Sequence, residues 1–154
     1  MNERSGFSLS EYDETIRMVL DSGGEFRIYP KGRSMLPLIR QGKDSAVLVK
    51  PSGFLKTGDI AFYLRDDGHY VLHRVIESCA EESSDAVYVM CGDNQCDPER
   101  GVRHGQIIGR VSRIYRGDKP VGEKSIPYRL YLFVWRSFFI RRIYFKLRRL
   151  KNGV

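Results

Sequence analysis

The sequence contains no run of about 18 apolar residues, so it lacks the usual signature of a transmembrane helix. Its first twenty residues carry acidic side chains and no long apolar stretch, which is not the pattern of a secretory signal peptide. Both absences predict a protein that is cytoplasmic or peripheral at the cytoplasmic membrane.

Cysteine is scarce, and the three cysteines form no C-x-x-C pair. An odd number without such a pair favours free thiols in a reducing compartment over a disulfide framework. A zinc site would need histidines to converge with these thiols, and the spacing matches no finger or ribbon. The sequence therefore predicts neither a metal site nor a cofactor. The residues concerned are Cys79, Cys91 and Cys96, with His69, His73 and His104.

Acidic residues are absent from Lys124 to the C-terminus, where nine lysines and arginines occur. Removing these nine charges from the net charge of +7 leaves residues 1–123 with −2. The basic character thus belongs to a basic aromatic tail, residues 119–154. An acidic body argues against a broad DNA-binding face, so nucleic acid is the less favoured partner of this tail.

The tail is rich in aromatic residues, and Pro127 can open a helix within it. Its charges do not confine themselves to one helical face. Aromatic side chains that insert next to arginines that meet headgroups are typical of a segment lying on an anionic membrane. We therefore expect residues 125–151 to contact a membrane surface, with packing on the body or docking of a partner as alternatives. The inserting residues would be Trp135, Phe138, Phe139, Tyr144 and Phe145, and the basic ones Arg141, Arg142, Lys146, Arg148 and Arg149.

One helix followed by short strands is predicted for the body. The helix begins at Ser8 or Ser10, continues to about Asp21, and forms an N-terminal unit of residues 1–24. Six strands separated by turn signals predict a mostly β, antiparallel domain over residues 25–118. The predicted strands are Glu25–Tyr29, Ala46–Val49, Asp59–Leu64, Tyr70–Glu77, Ala86–Met90 and Gln106–Tyr115.

The first stretch that could carry chemistry runs from Lys31 to Pro37. Gly32 permits unusual backbone angles just before Ser34, so a turn can present the hydroxyl beside backbone N–H groups. A serine hydroxyl is a poor nucleophile unless a base lies within hydrogen-bond reach. Taken alone, this stretch is more often a glycine-rich turn with a solvated serine.

The second stretch is the predicted strand that carries His73. Side chains alternate along a strand, so His73 shares one face with Val71 and Val75. A histidine among valines is more often a core residue with satisfied hydrogen bonds than a catalytic one. As a base, it would have an ordinary pKa in the range that general-base catalysis requires.

The third stretch, Cys91 to Glu99, contains three carboxylates. Asp and Asn after a glycine commonly form turns by bonding their own backbone. A buried carboxylate could instead orient the histidine and stabilise its imidazolium form. The candidates are Asp93, Asp97 and Glu99.

Taken in order, these stretches resemble a known superfamily. G-x-S-M-x-P, G-D-I-x-x-Y, a strand with H-R-V-I, G-D-N, and I-I-G-R-V occur between about Phe26 and Tyr115. This series is similar to the signal-peptidase and self-cleaving-repressor superfamily of serine peptidases. The histidine points to the branch that resembles the endoplasmic-reticulum, archaeal and sporulating-bacterial signal peptidases, whereas the other branches use lysine.

The resemblance implies a signal-peptidase-like complex β fold and a set of site residues. Ser34 would be the nucleophile and His73 the base. Asp93 matches the aspartate of G-D-N, and Asp97 is the preferred orienter of the histidine, with Glu99 next. Around the nucleophile, Gly32, Arg33 and Met35 would bind substrate or the oxyanion.

Two departures from the superfamily pattern stand out. Gly32 replaces the hydroxyl residue that often helps to bind the oxyanion, so backbone N–H groups, chiefly that of Ser34, must do so. The N-terminal membrane anchor typical of signal peptidases is also missing, and the tail is expected to take its place.

The predicted function is therefore a serine endopeptidase that removes a leader or signal segment from a peptide or precursor protein. Three alternatives stay open: a catalytically lapsed peptide-binding module of the same fold, a self-cleaving regulator, and a regulator that binds membrane or nucleic acid through its tail.

Overall fold

The computed structural model describes residues 9–79, 86–121, 131 and 143. Helix α1 spans Leu9–Asp21, close to the predicted bounds. It buries Ile16 and Leu20 completely, at helical spacing, against the sheet. It ends where Gly23 adopts a φ of 81° and the Gly24 N–H bonds to the Val19 carbonyl, which closes the last turn.

The body is one sheet of eight antiparallel strands, in the order β1-β2-β7-β3-β4-β5-β6, with β8 paired to β7. The strands are β1 (Phe26–Ile28), β2 (Asp44–Val49), β3 (Ile60–Leu64), β4 (Tyr70–Cys79), β5 (Val87–Cys91), β6 (Glu99–Arg103), β7 (Ile107–Arg116) and β8 (Lys119–Pro120). A 3₁₀ turn, His104–Gln106, leads into β7.

The mostly antiparallel β body and the N-terminal helix are confirmed. Strands β6 and β8 are additions that the sequence did not predict. The β6 segment reads Glu-Arg-Gly-Val-Arg, and only Val102 among its side chains is buried, so it shows no apolar alternation. Strand β8 extends the sheet two residues into the predicted tail.

Two apolar clusters cover the two faces of the sheet. Cluster 1 contains α1 and the β4 residue Leu72, and cluster 2 contains the β4 residue Val75. The faces alternate along β4 as predicted, so the neighbours His73 and Arg74 point to opposite sides of the sheet. The central position of β4, between β3 and β5, makes both side chains buried, with 3% and 4% exposure.

Most of the predicted tail lies outside the described residues, and so does the predicted C-terminal helix. Tyr131 and Ile143 are the described positions after Val121. Tyr131 packs against cluster 1, and Ile143 is exposed. Within the described part of the chain, no helix is long and apolar enough to cross a membrane.

Candidate active site

Ser34 lies in the loop between β1 and β2, at the start of a compact turn. The turn is closed by hydrogen bonds from Leu36 N–H to the Arg33 carbonyl (3.2 Å) and from Ile39 N–H to the Met35 carbonyl (2.9 Å). The Met35 side chain is 4% exposed and anchors the turn in cluster 1. Ser34 is left half-buried at the surface of this anchor.

Gly32 bends the chain into this turn with a φ of 92°, a conformation that side-chain-bearing residues rarely adopt. Its N–H donates to Gln41 Oε1 at 2.9 Å and is therefore committed. The N–H groups of Ser34 and Met35 meet no acceptor among the described residues. Two backbone donors next to the hydroxyl are thus available for a developing oxyanion.

The Gly92–Asn94 turn clamps the serine from the other side. Asn94 N–H donates to the Ser34 carbonyl at 2.6 Å, and Asn94 Nδ2 donates to the Arg33 carbonyl at 3.1 Å. Gly92 fits so closely that a Cβ built on it would lie 2.7 Å from the Ser34 carbonyl oxygen. The third motif therefore fixes the backbone of the first, which explains why a glycine occupies this position.

His73 contacts Tyr63 of β3, which in turn bonds to Glu99 of β6. Its Nδ1 lies 3.3 Å from the Tyr63 hydroxyl, and that hydroxyl donates to Glu99 Oε2 at 2.7 Å. Arg65 donates to the same oxygen through Nε (2.8 Å) and Nη2 (2.6 Å). Burial and the bond to Glu99 raise the pKa of Tyr63 far above its ordinary value, so the phenol stays protonated.

Arg74 makes a second, separate network on the opposite face. Its Nε and Nη2 donate to the two oxygens of Asp93, both at 2.8 Å, and its Nη1 donates to the Gly58 carbonyl. The Tyr131 hydroxyl donates to Asp93 Oδ2 at 2.6 Å. Burial and the charge of Asp93 raise the pKa of Tyr131 far above its ordinary value. Asp93, which is fully buried, is thus an ion-pair partner of Arg74.

Ser34 and His73 line the same cavity, whose volume is about 280 Å³. Its apolar wall comes from Met35, Ile39 and Leu72, and Lys31 and Arg65 also border it. The Ser34 hydroxyl makes no hydrogen bond to His73 or to any other described residue. The two proposed reactive groups therefore border one cavity without a hydrogen bond between them, and catalytic hydrogen bonds often form only in the complex with substrate.

The remaining predicted site residues lie around this compartment. Arg33 is exposed next to Ser34, and its side chain makes no hydrogen bond or ion pair with a described residue. Asp97 is exposed, and its carboxylate makes no hydrogen bond or ion pair with a described residue, so its predicted orienting role has no contact behind it. Glu99, the second choice, is the carboxylate connected to His73 through Tyr63.

Sequence reasoning missed Tyr63 and Arg65. A usable signal was present, since the Asp-Asp-Gly turn fixes the β3–β4 hairpin and places Ala61 opposite His73. Tyr63, two residues from Ala61, then shares the face of His73. Within the described residues, no group of three or more His, Cys, Asp and Glu side chains is arranged to hold a metal ion.

No protein-family model matches the chain, and no curated protein matches it. The functional assignment therefore rests on the residues and their arrangement.

Proposed function

We propose that this chain is a serine endopeptidase of signal-peptidase type that removes a leader or signal segment from a peptide or precursor protein. The observation that carries the proposal is the shared cavity, because Ser34 and His73 come from distant parts of the chain and both border it. The ordered motifs support the same assignment, since four of them contribute a residue that borders the cavity or bonds to one that does. These residues are Ser34, Tyr63, His73 and Asn94.

In the proposed reaction, His73 Nε2 accepts the proton of Ser34 Oγ while the oxygen attacks the peptide carbonyl. The oxyanion accepts hydrogen bonds from the N–H groups of Ser34 and Met35. The imidazolium then gives its proton to the leaving amine, and water releases the acyl group by the reverse sequence. Binding of the substrate in the cavity would bring Ser34 and His73 into hydrogen-bond contact.

Cleavage of unstructured precursor peptides, followed by mass spectrometry, tests the proposal. Ser34→Ala and His73→Ala should each lower the rate by about 10³-fold or more, because the nucleophile and base act as a unit. Ser52→Ala is the matched control, because Ser52 is an exposed serine that does not border the cavity. Normal cleavage by either cavity variant would remove that residue from the mechanism.

A second candidate function is a peptide-binding module with a lapsed site. The missing hydrogen bond between Ser34 and His73 favours it, because a module that only binds peptides needs no such contact. It predicts that the wild-type chain binds peptides but neither cleaves them nor reacts with a serine-directed peptide aldehyde. Covalent labelling of the wild type that is lost in Ser34→Ala would exclude this candidate.

The proposed site of action is a membrane surface, reached through residues 125–151. Flotation with anionic vesicles should recover the full chain, and removal of residues 125–154 should abolish the effect, because basic residues near such a surface contribute about 1 kcal/mol each. Failure of the full chain to float would contradict a peripheral membrane location. Steep salt-dependent binding to DNA would instead favour a nucleic-acid-binding tail.

A further inference from the structure

We propose that Tyr63 and Glu99 together set the tautomer of His73, holding its proton on Nδ1, so that the lone pair that a base requires is on Nε2. The catalytic consequence rests on the proposed peptidase function, whereas the tautomer itself does not. Tyr63 is accordingly a positioning residue, because it acts on the reaction through His73.

The argument begins with the single proton of the Tyr63 hydroxyl. Glu99 lies 2.7 Å away, and its Oε2 also accepts two bonds from Arg65. An ionised carboxylate can only accept hydrogen bonds, so the phenol proton must point to Glu99. Arg65 reinforces this direction by keeping negative charge on that oxygen.

The direction of the phenol proton determines whether the Tyr63 oxygen donates to His73 or accepts from it. Because its proton is donated in the hydrogen bond to Glu99, the Tyr63 oxygen can only accept a bond from Nδ1, which lies 3.3 Å away. Nδ1 must therefore carry the proton of the neutral ring, and Nε2 keeps its lone pair. This is the tautomer that a histidine base needs in order to take the proton of a serine.

Strand packing makes this arrangement rigid. Tyr63 is fully buried on β3, and Ala61, two residues before it, pairs with His73 across the hairpin. Glu99 comes from β6 on the far side of β5, so the network spans non-adjacent strands. The high pKa of Tyr63, caused by burial and by Glu99, agrees with a phenol that keeps its proton throughout turnover.

The proton count of the reaction is unchanged by this network. Ser34 Oγ gives one proton to Nε2, and the ring carries two protons until the leaving amine takes one. The Nδ1 proton stays on His73 and the phenol proton stays on Tyr63. The phenol oxygen and the charge of Glu99 stabilise the imidazolium. This arrangement takes the place of the direct contact between carboxylate and histidine in a Ser/His/Asp triad.

The test is the protonation of the His73 ring, measured by two-bond ¹⁵N–¹H correlation on the ¹⁵N-histidine-labelled full chain at neutral to mildly alkaline pH. A His73→Gln spectrum assigns the signals among the three histidines. The wild type and Ser34→Ala should show the Nδ1–H form. Tyr63→Phe removes the acceptor and should give a mixture of forms.

Two substitutions of Glu99 separate the direction of the proton from mere packing. Glu99→Ala releases the phenol proton, which can then turn to Nδ1, so His73 should switch to the Nε2–H form. Glu99→Gln keeps a carbonyl oxygen that accepts from both Tyr63 and Arg65, so the Nδ1–H form should return. This pattern differs from that of a residue that only fills space.

Tyr88→Phe is the matched control. Tyr88 is also fully buried, and its hydroxyl lies 2.7 Å from Nδ1 of a different histidine, His104. Its removal should leave the His73 signals in place. In the cleavage assay, Tyr63→Phe should lower kcat by about 10²-fold with little change in KM, since general-base catalysis contributes about 10²–10⁴-fold.

An Nε2–H form in the wild type, or an unchanged Nδ1–H form in both Tyr63→Phe and Glu99→Ala, would overturn the inference while leaving the peptidase proposal intact. Loss of the peptidase proposal has a different signature. In that case cleavage is absent or survives Ser34→Ala, and the ring signals still follow the predicted pattern.

Discussion

His73 and Arg74, neighbouring residues of β4, belong to two hydrogen-bond networks that each contain a tyrosine and a carboxylate. On one face, a histidine, a tyrosine and a glutamate form a chain in which the tyrosine separates the ring from the carboxylate. On the other, Arg74 and Tyr131 both donate directly to Asp93. The first network borders a cavity through His73, and the second includes a carboxylate with no exposed surface.

The difference lies in where the carboxylate sits. Asp93 bonds directly to Arg74, and this ion pair compensates the cost of burying both charges. Glu99 is paired directly with Arg65 but reaches His73 only through the Tyr63 phenol. The spacing thus decides how each carboxylate meets the β4 side chain: Asp93 bonds to Arg74 directly, and Glu99 is connected to His73 through a phenol.

Breaking the Arg74–Asp93 pair should have the largest effect on stability. Arg74→Met leaves Asp93 buried without its cation and should lower the free energy of unfolding by about 3–5 kcal/mol, as measured by urea denaturation. Arg100→Met is the matched control, because Arg100 and Glu77 form an exposed pair at 3.7 Å. It should cost less than about 1 kcal/mol. Equal costs for the two variants would refute the structural role of the buried pair.

Tyr131→Phe tests the comparison between the two tyrosines. It removes a donor to the buried Asp93 carboxylate and should lower the free energy of unfolding by about 1.5–3 kcal/mol. The ring signals of His73 should not change, in contrast to Tyr63→Phe. The two networks are not independent if Tyr131→Phe alters the His73 tautomer as strongly as Tyr63→Phe does.

Gly92→Ala tests the close contact between the Gly92–Asn94 turn and Ser34. The new Cβ would lie 2.7 Å from the Ser34 carbonyl oxygen and 2.9 Å from Ser34 Cβ, so Ser34 or the turn that carries residue 92 must shift. We expect a loss of about 1–3 kcal/mol in unfolding free energy. Cleavage should also fall, by up to about 10²-fold if Ser34 shifts by about 1 Å.

The control for this clamp is Gly105→Ala. A Cβ at Gly105 meets nothing within 4 Å, and its φ lies outside the left-handed region. Its unfolding free energy should change by no more than about 0.5 kcal/mol. A Gly92→Ala chain that cleaves and unfolds like this control would show that the close approach to Ser34 has no consequence.

Alkaline pH should produce the smallest of these effects. Burial, with the neighbouring carboxylate, raises the folded-state pKa of both Tyr63 and Tyr131. The unfolded chain therefore loses these protons first, near the ordinary tyrosine pKa of about 10. Stability present below that pH is lost as pH rises above it, by at most about 0.8 kcal/mol per tyrosine at pH 10.5.

The measurement is the urea midpoint between pH 8 and pH 10.5. The Tyr63→Phe, Tyr131→Phe double variant should show a flatter decline than the wild type, whereas the exposed Tyr12→Phe should follow the wild type. A double variant that declines as steeply as the wild type would mean that neither phenol is held neutral by its surroundings.

Much of the fold follows from local sequence. The Asp-Asp-Gly turn and the alternating apolar residues around it gave the β3–β4 hairpin, and the apolar stripe of α1 gave the helix. Strand β6 escaped prediction because pairing with β5, rather than apolar alternation, defines it. Glu99 begins this strand, so its link to His73 could not be read from the chain.

The site shows the same division. Ser34 and His73 were predicted from their motifs, and the resemblance to a superfamily supplied their roles. The sequence is compatible with Asp93 as a turn residue or as an orienter of the histidine. In the structure it pairs with Arg74, the next residue after His73, because the side chains of β4 alternate. A sequence lists carboxylates near a histidine, but only the register of the strands decides which one reaches it.

The position of Tyr131 late in the chain determines when its hydrogen bond to Asp93 can form during synthesis. Chains emerge from the ribosome N-terminal end first, and domains form in that order. All eight described strands are therefore synthesised before Tyr131, whose phenol donates to Asp93. A growing chain that stops at Val121 contains Ser34, His73 and Glu99 but lacks Tyr131, so the bond from Tyr131 to Asp93 forms only after the strands have left the ribosome.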